Sequence, residues 1–142
     1  MTENALITLE STILADNDID TVSLTTVGSY YYKNKKHYII YKESETTGFE
    51  GCTTTIKVWD GGISMTRRGG DIPDTNLIIE PGSINLCSYQ TVAGSLMLDI
   101  NGIELDNKLT DSGGSLSFGY SISASGMLIS ENKVNITVKE IN

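Results

Sequence analysis

The stretch CTTTIKVWDGGISMTRR, residues 52–68, decides the fold, because it places two strand-like segments on either side of a tight turn. Successive side chains of a strand point to opposite faces of a sheet. The first segment, Cys52–Trp59, therefore has one face formed by Cys52, Thr54, Ile56 and Val58. The second segment, Ile63–Arg68, alternates in the same way, and Asp60–Gly61–Gly62 supplies the positive φ that tight hairpins need. The stretch predicts an antiparallel hairpin.

The same two-residue period extends along the chain in both directions, and no segment shows a sustained helical period. Ten strands are predicted, at Ala5–Leu14, Thr21–Lys33, His37–Glu43, Cys52–Trp59, Ile63–Arg68, Thr75–Glu80, Ile84–Thr91, Ser95–Leu109, Ser115–Ser125 and Lys133–Glu140. Consecutive hairpins form an up-and-down sheet, and closure removes the two exposed edges of such a sheet. We therefore predict an all-β fold, a single closed antiparallel barrel of about ten strands.

Asn101–Gly102 allows two interpretations. Apolar alternation on both sides of this pair is typical of a hairpin turn. A long barrel strand that bends at a glycine would show the same pattern. We favour the bend, which makes Ser95–Leu109 a single strand. A hairpin would divide the same segment into two strands.

Length and composition fit a single globular domain over residues 1–142. The chain has 39% hydrophobic and 20% charged residues, and a domain of this length can bury its own core without disulfides or metal. It carries 10 basic against 18 acidic residues, a net charge of −8. Nucleic-acid affinity depends on Lys and Arg that neutralise phosphates, so we expect no nucleic-acid partner.

Cysteine usage and the N-terminal sequence predict a cytoplasmic protein. Cys52 and Cys87 are the only cysteines, too few and too far apart for a disulfide framework or a zinc site. The first residues, MTENALITLESTIL, lack the basic region and cleavage site of a signal peptide. No apolar run reaches membrane-spanning length. We expect reduced thiols and no membrane association.

Three features that resemble functional motifs have simpler explanations. The segment Asp16–Asp20 begins like a calcium loop, but the sixth and twelfth positions are Thr21 and Val27, where Gly and Glu are required. His37 is the only histidine, and it is interpreted as a surface residue that opens a strand. The glycine pairs precede strands, whereas a phosphate cradle needs a helix N-terminus. No metal or cofactor is predicted.

Arg67 is the most informative candidate for a site. Strict alternation puts it on the face of Ile63 and Met65, which predicts an inward guanidinium. A buried charge needs a partner, and Glu43, which shares a face with Tyr41 on an earlier strand, can supply one. The alternative is that Arg67 lies past the strand end, in solvent. Candidate ligand-binding residues of the interior are Tyr41, Glu43, Arg67, Thr53, Thr55 and Tyr89, although strand propensity alone explains the threonines.

The stretch YKESETTGFEGCTTTI, from Tyr41 to Ile56, resembles the YwiB-like family of small bacterial proteins, a domain of unknown function with a calycin-like or lipocalin-like barrel. Further similarities are Arg67 before Gly69, the turn Asp111–Gly114 and Asn132. The chain departs from the pattern at Val92 and Ala93, where Pro and an aromatic residue are expected. The resemblance implies a bacterial cytosolic barrel and supplies no activity, because fold alone does not fix function.

Three functions remain open. The first is non-catalytic binding of a small amphipathic or anionic ligand in the barrel interior. The second is a structural or regulatory interaction module with a side-chain-filled barrel, which could pair with a second copy as a homodimer. The third, ranked lowest because no nucleophile is visible, is a hydrolase or isomerase using Glu43 and Arg67. A ligand-sized cavity distinguishes the first function from the second.

Overall fold

Ten strands and one 3-10 helix make up the part of the chain that the computed structural model describes, residues 3–47, 49–70, 74–91 and 94–141. Gly48, Val92 and Ala93 lie outside these ranges. The strands are β1 Ala5–Ala15, β2 Asp18–Lys33, β3 Lys36–Lys42, β4 Cys52–Trp59, β5 Gly62–Gly69, β6 Thr75–Ile79, β7 Ile84–Thr91, β8 Gly94–Thr110, β9 Gly113–Ala124 and β10 Met127–Glu140. The helix, Glu45–Thr47, lies between β3 and β4.

The strands form one antiparallel sheet in the order β6-β5-β4-β3-β2-β1-β10-β9-β8-β7. Strands that follow one another in the chain pair with each other, apart from β6 and β7, and β1 pairs with β10, so that the sheet curls into a barrel. The predicted all-β, up-and-down antiparallel barrel is confirmed. The barrel does not close through a continuous ladder of backbone hydrogen bonds. The edge strands β6 and β7 lie against each other, but their described residues form no pairing ladder.

The turn between β6 and β7 is fastened to β8 at Gly102. The Ser83 amide donates to the Glu80 carbonyl at 3.0 Å, the Gly82 amide to the Gly102 carbonyl at 3.0 Å, and the Gly102 amide to the Ser83 carbonyl at 3.0 Å. A Cβ atom on Gly102 would lie 2.2 Å from the Glu80 carbonyl oxygen, so only glycine fits there. β8 runs through this point with a bulge between Gly102 and Glu104. Asn101–Gly102 is therefore a bend in one strand, as favoured above.

The predicted strands match the observed ones closely except at the start of β10. This strand begins at Met127, six residues before the predicted Lys133. Met127, Leu128 and Ile129 are consecutive exposed apolar residues, and the register shifts between Leu128 and Ser130. A bulge adds one residue to a strand, which interrupts the two-residue period. The sequence pattern therefore does not reveal the first residues of β10.

The core occupies the end of the barrel where the β2–β3, β4–β5 and β8–β9 hairpins lie. We call it the closed end. The register aligns four buried side chains there in one row across four strands: His37, Val58, Ile63 and Ile79. On the other wall the largest fully buried side chains include Phe118, Ile7, Leu116 and Ile136. Both described chain ends, near Asn4 and Ile141, hydrogen-bond each other at this end.

His37 is buried, which corrects the prediction of a surface histidine. Its Nδ1 lies 2.8 Å from the Tyr30 hydroxyl, and that hydroxyl also donates to the Thr110 carbonyl oxygen. Burial lowers the pKa of His37. Burial, together with the charges of Asp111 and Glu140, raises the pKa of Tyr30 to about 12. The sequence did not reveal this network because Thr110 comes from a strand far away in the chain.

Within the described ranges, no helix has the length and apolar character that crossing a membrane requires.

Candidate functional site

A cavity of about 720 Å³ occupies the opposite end of the barrel, which we call the mouth. Here lie the β1–β2, β3–β4, β5–β6, β7–β8 and β9–β10 connections. Apolar side chains from both walls form most of its surface, among them Leu9, Ile56, Met65, Leu77, Leu98 and Val134. Tyr89, which is 42% exposed, also lines the cavity and marks its opening to solvent.

One wall of the cavity is built from rows of side chains that the strand register brings side by side. Ile39, Ile56, Met65 and Leu77 form the row above the closed end. The next row, one pleat closer to the mouth, is polar and consists of Tyr41, Thr54, Arg67 and Thr75. Because residues two apart on a strand share a face, the wall changes from apolar to polar towards the mouth.

Arg67 forms an ion pair with Glu43, which lies just beyond the end of β3. Its Nε and Nη2 atoms lie 3.4 Å and 3.3 Å from Glu43 Oε2, and the Thr54 hydroxyl donates to the same oxygen. The side chain of Glu43 is 1% exposed and that of Arg67 is 17% exposed. The carboxylate is therefore fully enclosed, whereas part of the guanidinium remains accessible from the cavity.

Phe49 covers the guanidinium from the β3–β4 connection. The Arg67 Cζ atom lies 3.7 Å from the centroid of the Phe49 ring, a cation–π contact. Main-chain bonds hold this connection in place: the Glu43 amide donates to the Cys52 carbonyl at 2.9 Å, and the Cys52 amide donates to the Phe49 carbonyl at 3.0 Å. Arg67 is thus fixed on one side by a carboxylate and on another by an aromatic face.

Two tyrosines complete the polar part of the cavity. Tyr41 and Tyr120 are both buried and both line it. Burial raises the pKa of Tyr41, the negative charge of Glu43 raises it further, and Arg67 partly opposes both. Burial also raises the pKa of Tyr120, again partly opposed by Arg67. Both phenols therefore stay neutral at physiological pH and can donate or accept a hydrogen bond.

The opposite wall carries a second, smaller polar group. Asn132 lines the cavity, and its Nδ2 donates to the Ser130 hydroxyl at 3.0 Å. Strand register places Asn132 next to Tyr120, and Tyr120 next to Gly102. The wide Tyr120 side chain thus lies beside Gly102, which has no side chain.

Comparison with known proteins places this barrel in a family. A family model described as a domain of unknown function (DUF1934) matches residues 7–136. The chain belongs to this family. The resemblance to the YwiB-like family is confirmed, because the uncharacterized beta-barrel protein YwiB of Bacillus subtilis is 26% identical over 112 residues, 79% of this chain and 76% of that protein. The crystal structure of ywiB protein from Bacillus subtilis has a TM-score of 0.83 at 21% identity, covering 99% of this chain and 93% of that one. It supports the barrel fold of this DUF1934 chain.

Four of the six predicted site residues line the cavity of the DUF1934 barrel: Tyr41, Glu43, Arg67 and Tyr89. Thr53 and Thr55 do not, and the prediction that they belong to the interior was wrong. Thr53 is exposed and Thr55 is half-buried on the outer face of β4. Thr54, which lies between them, is fully buried and holds Glu43. The alternation of β4 groups Thr54 with Ile56 and Val58, and the structure shows that this face is the inward one.

Other contributors to the site were absent from the sequence prediction. Phe49 lies in a connection without periodicity, so no pattern could indicate that it covers Arg67. Tyr120 and Asn132 do follow the inward alternation of β9 and β10, with Phe118 and Val134 as buried neighbours on the same faces. That alternation could have identified both as interior residues, but it could not have placed them near Arg67.

The arrangement is suited to binding. Within the described ranges no group of three His, Cys, Asp or Glu side chains could hold a metal ion. Glu43, the carboxylate that a hydrolase or isomerase would need as a base, is already bound by Arg67 and Thr54. An apolar cavity with a small number of positioned polar groups is the usual form of a small-molecule site.

Proposed function

We propose that this DUF1934 barrel binds a small amphipathic molecule in its mouth cavity without catalysing a reaction. The observation that carries the proposal is the cavity of about 720 Å³, which falls in the range of roughly 300–1,000 Å³ that ligand sites occupy. A barrel that served only as a scaffold could fill this space with side chains, as the closed end does. The cavity therefore favours a binding role over a filled interaction module.

The distribution of polarity along the wall suggests how such a ligand lies. Its apolar part would fill the deeper region around Ile56, Met65 and Leu98, where burial of apolar surface supplies the affinity. Its polar end would lie at the row nearer the mouth and contact Arg67 and Tyr41. Since Glu43 and Phe49 already hold Arg67, the guanidinium is fixed before binding and little side-chain entropy is lost.

Fluorescence titration with the neutral apolar dye N-phenylnaphthylamine tests the proposal. Wild-type protein should bind the dye saturably at about one molecule per chain. Val22 lines the cavity and is half-buried, so Val22→Trp should fill the space and weaken binding at least about tenfold.

Val27→Trp is the matched control. Val27 lies on the same strand, on the outer face, and is 40% exposed. This variant should bind the dye as the wild type does. Absence of saturable binding by the wild type, or equal loss in both variants, would contradict a ligand site in the mouth cavity.

A further inference from the structure

The polar row and Glu43 together carry no net charge, because Arg67 and Glu43 offset each other. Both guanidinium contacts go to Glu43 Oε2. The two partners differ in accessibility, since the carboxylate side chain is 1% exposed and the guanidinium 17% exposed. Both side chains line the cavity, but a ligand there can reach Arg67 more readily than the enclosed carboxylate that balances its charge.

A carboxylate on the ligand would disturb this balance. Arg67 would then be shared between two carboxylates, and the site would hold one unbalanced negative charge away from water, which is costly. A neutral oxygen, such as an alcohol, ester or amide oxygen, can accept from the same guanidinium with no added charge. A cationic group would instead face the exposed side of the guanidinium and be repelled by it.

The charge around the mouth, like the ion pair, disfavours anionic ligands. Acidic residues lie in or beside its connections, at Asp16, Asp18, Asp20, Glu45, Glu50 and Asp74. The five connections themselves contain no Lys or Arg, and beside them lie Lys42 and Arg68, at the mouth ends of β3 and β5. Acidic residues therefore outnumber basic ones around the entrance. A negative field at the entrance slows the approach of an anionic ligand.

We infer that the cavity selects a neutral amphiphile whose polar end is a hydrogen-bond acceptor for Arg67, in preference to a fatty carboxylate or an alkylammonium ion. This inference rests on the proposed function and specifies the ligand class of the same site. Of the two ligand types left open by the sequence, amphipathic or anionic, the geometry favours an uncharged amphiphile.

Competition among three compounds of equal chain length tests the inference. Decanol below its solubility limit, and decanoate and decylammonium below their micelle concentrations, are used to displace N-phenylnaphthylamine from the wild type. Decanol should displace the dye at a concentration at least about tenfold lower than either ion. Decanoate or decylammonium within about threefold of decanol would overturn the inference, as would failure of decanol to displace bound dye. Failure of the dye itself to bind contradicts the proposed function instead.

Glu43→Gln separates the charge effect from the greater apolarity of decanol. Removing the carboxylate leaves the charge of Arg67 uncompensated, so the affinity for decanoate should rise at least about tenfold relative to that for decanol. Asp18→Asn, which changes the mouth charge without touching the ion pair, is the matched control and should keep the decanol-to-decanoate ratio within about threefold of wild type. An unchanged ratio in a folded Glu43→Gln variant would overturn the inference. If that variant does not fold, the concentrations at which the three compounds displace the dye from the wild type decide whether the inference holds.

Discussion

Arg67 and Glu43 lie 24 residues apart in sequence and meet at a single carboxylate oxygen, Oε2, 3.3 Å from Arg67 Nη2. Thr54, on the strand between them, donates to the same oxygen. Three consecutive strands are thereby tied together at one buried atom. Both side chains line the cavity, but that of Arg67 is 17% exposed and that of Glu43 only 1%, so removal of either partner leaves the other in a different environment.

Truncation of Arg67 should cost more than truncation of Glu43. Arg67→Met leaves an enclosed carboxylate without its cation and should lower the free energy of unfolding by about 3–5 kcal/mol. Glu43→Gln leaves a guanidinium that water in the cavity can reach, so its cost should be about 1–3 kcal/mol. Urea unfolding of each variant measures both values. A larger loss in Glu43→Gln would contradict the assigned exposures.

The double variant Arg67→Met with Glu43→Gln should recover much of the loss, because no charge remains buried. A double-mutant cycle gives the coupling directly. Additive effects of no more than about 1 kcal/mol each would show that the pair behaves as a solvated surface ion pair.

Thr54→Val should destabilise the barrel by about 1–3 kcal/mol, because it removes the hydroxyl that Glu43 accepts from while keeping the shape of a fully buried side chain. Thr53→Val is the matched control on the same strand. Thr53 is exposed on the outer face, and its substitution should change the free energy of unfolding by less than about 0.5 kcal/mol. Equal effects of the two substitutions, measured by urea unfolding, would contradict the assignment of faces in β4.

Gly102→Ala should destabilise the barrel by at least about 2 kcal/mol, since its Cβ would lie 2.2 Å from the Glu80 carbonyl oxygen and push the β6–β7 turn away from β8. Asn101→Ala changes the exposed neighbouring residue of the same strand and should cost much less. Thermal unfolding of both variants checks this. Tolerance of alanine at Gly102 would show that the turn is not fastened where the structure places it.

Stability should fall in mildly acidic solution through His37. Burial lowers its pKa below the ordinary 6.5, so the unfolded chain takes up a proton first as pH falls. The contribution of His37 to stability is therefore complete above about pH 6.5 and is lost below it. The neutral ring donates from Nδ1 to Tyr30, because the Tyr30 hydroxyl proton goes to Thr110.

Urea unfolding at about pH 8 and about pH 5 measures this effect. The wild type should lose more stability between the two than His37→Gln does, because glutamine cannot take up the proton. Identical losses would mean that His37 titrates as an exposed histidine.

Sequence reasoning reached part of the site because the relevant information was local. The alternation of Ile63, Met65 and Arg67 placed the guanidinium inside, and the cost of a buried charge then required a partner such as Glu43. In β4 the same alternation groups Thr54, and not Thr53 or Thr55, with the apolar side chains of Ile56 and Val58, and this is the buried face. Phe49 has no comparable signal, because it lies in a connection without periodicity. His37 shares the inward face of Ile39 and Tyr41 by alternation, so its burial could have been predicted, whereas its contact with Thr110, on a strand distant in sequence, could not.

Local sequence is enough to predict most of the strands, their faces and the positions of the hairpins, because the direction of a side chain and the φ of a turn residue depend on a few neighbouring residues. The contact of β6 with β7, the filling of one end by Phe118 and its neighbours, and the cavity at the other end become visible only in three dimensions. These properties depend on the stagger between strands and on the volumes of side chains that meet across the barrel. No short window of sequence contains both sides of such a contact.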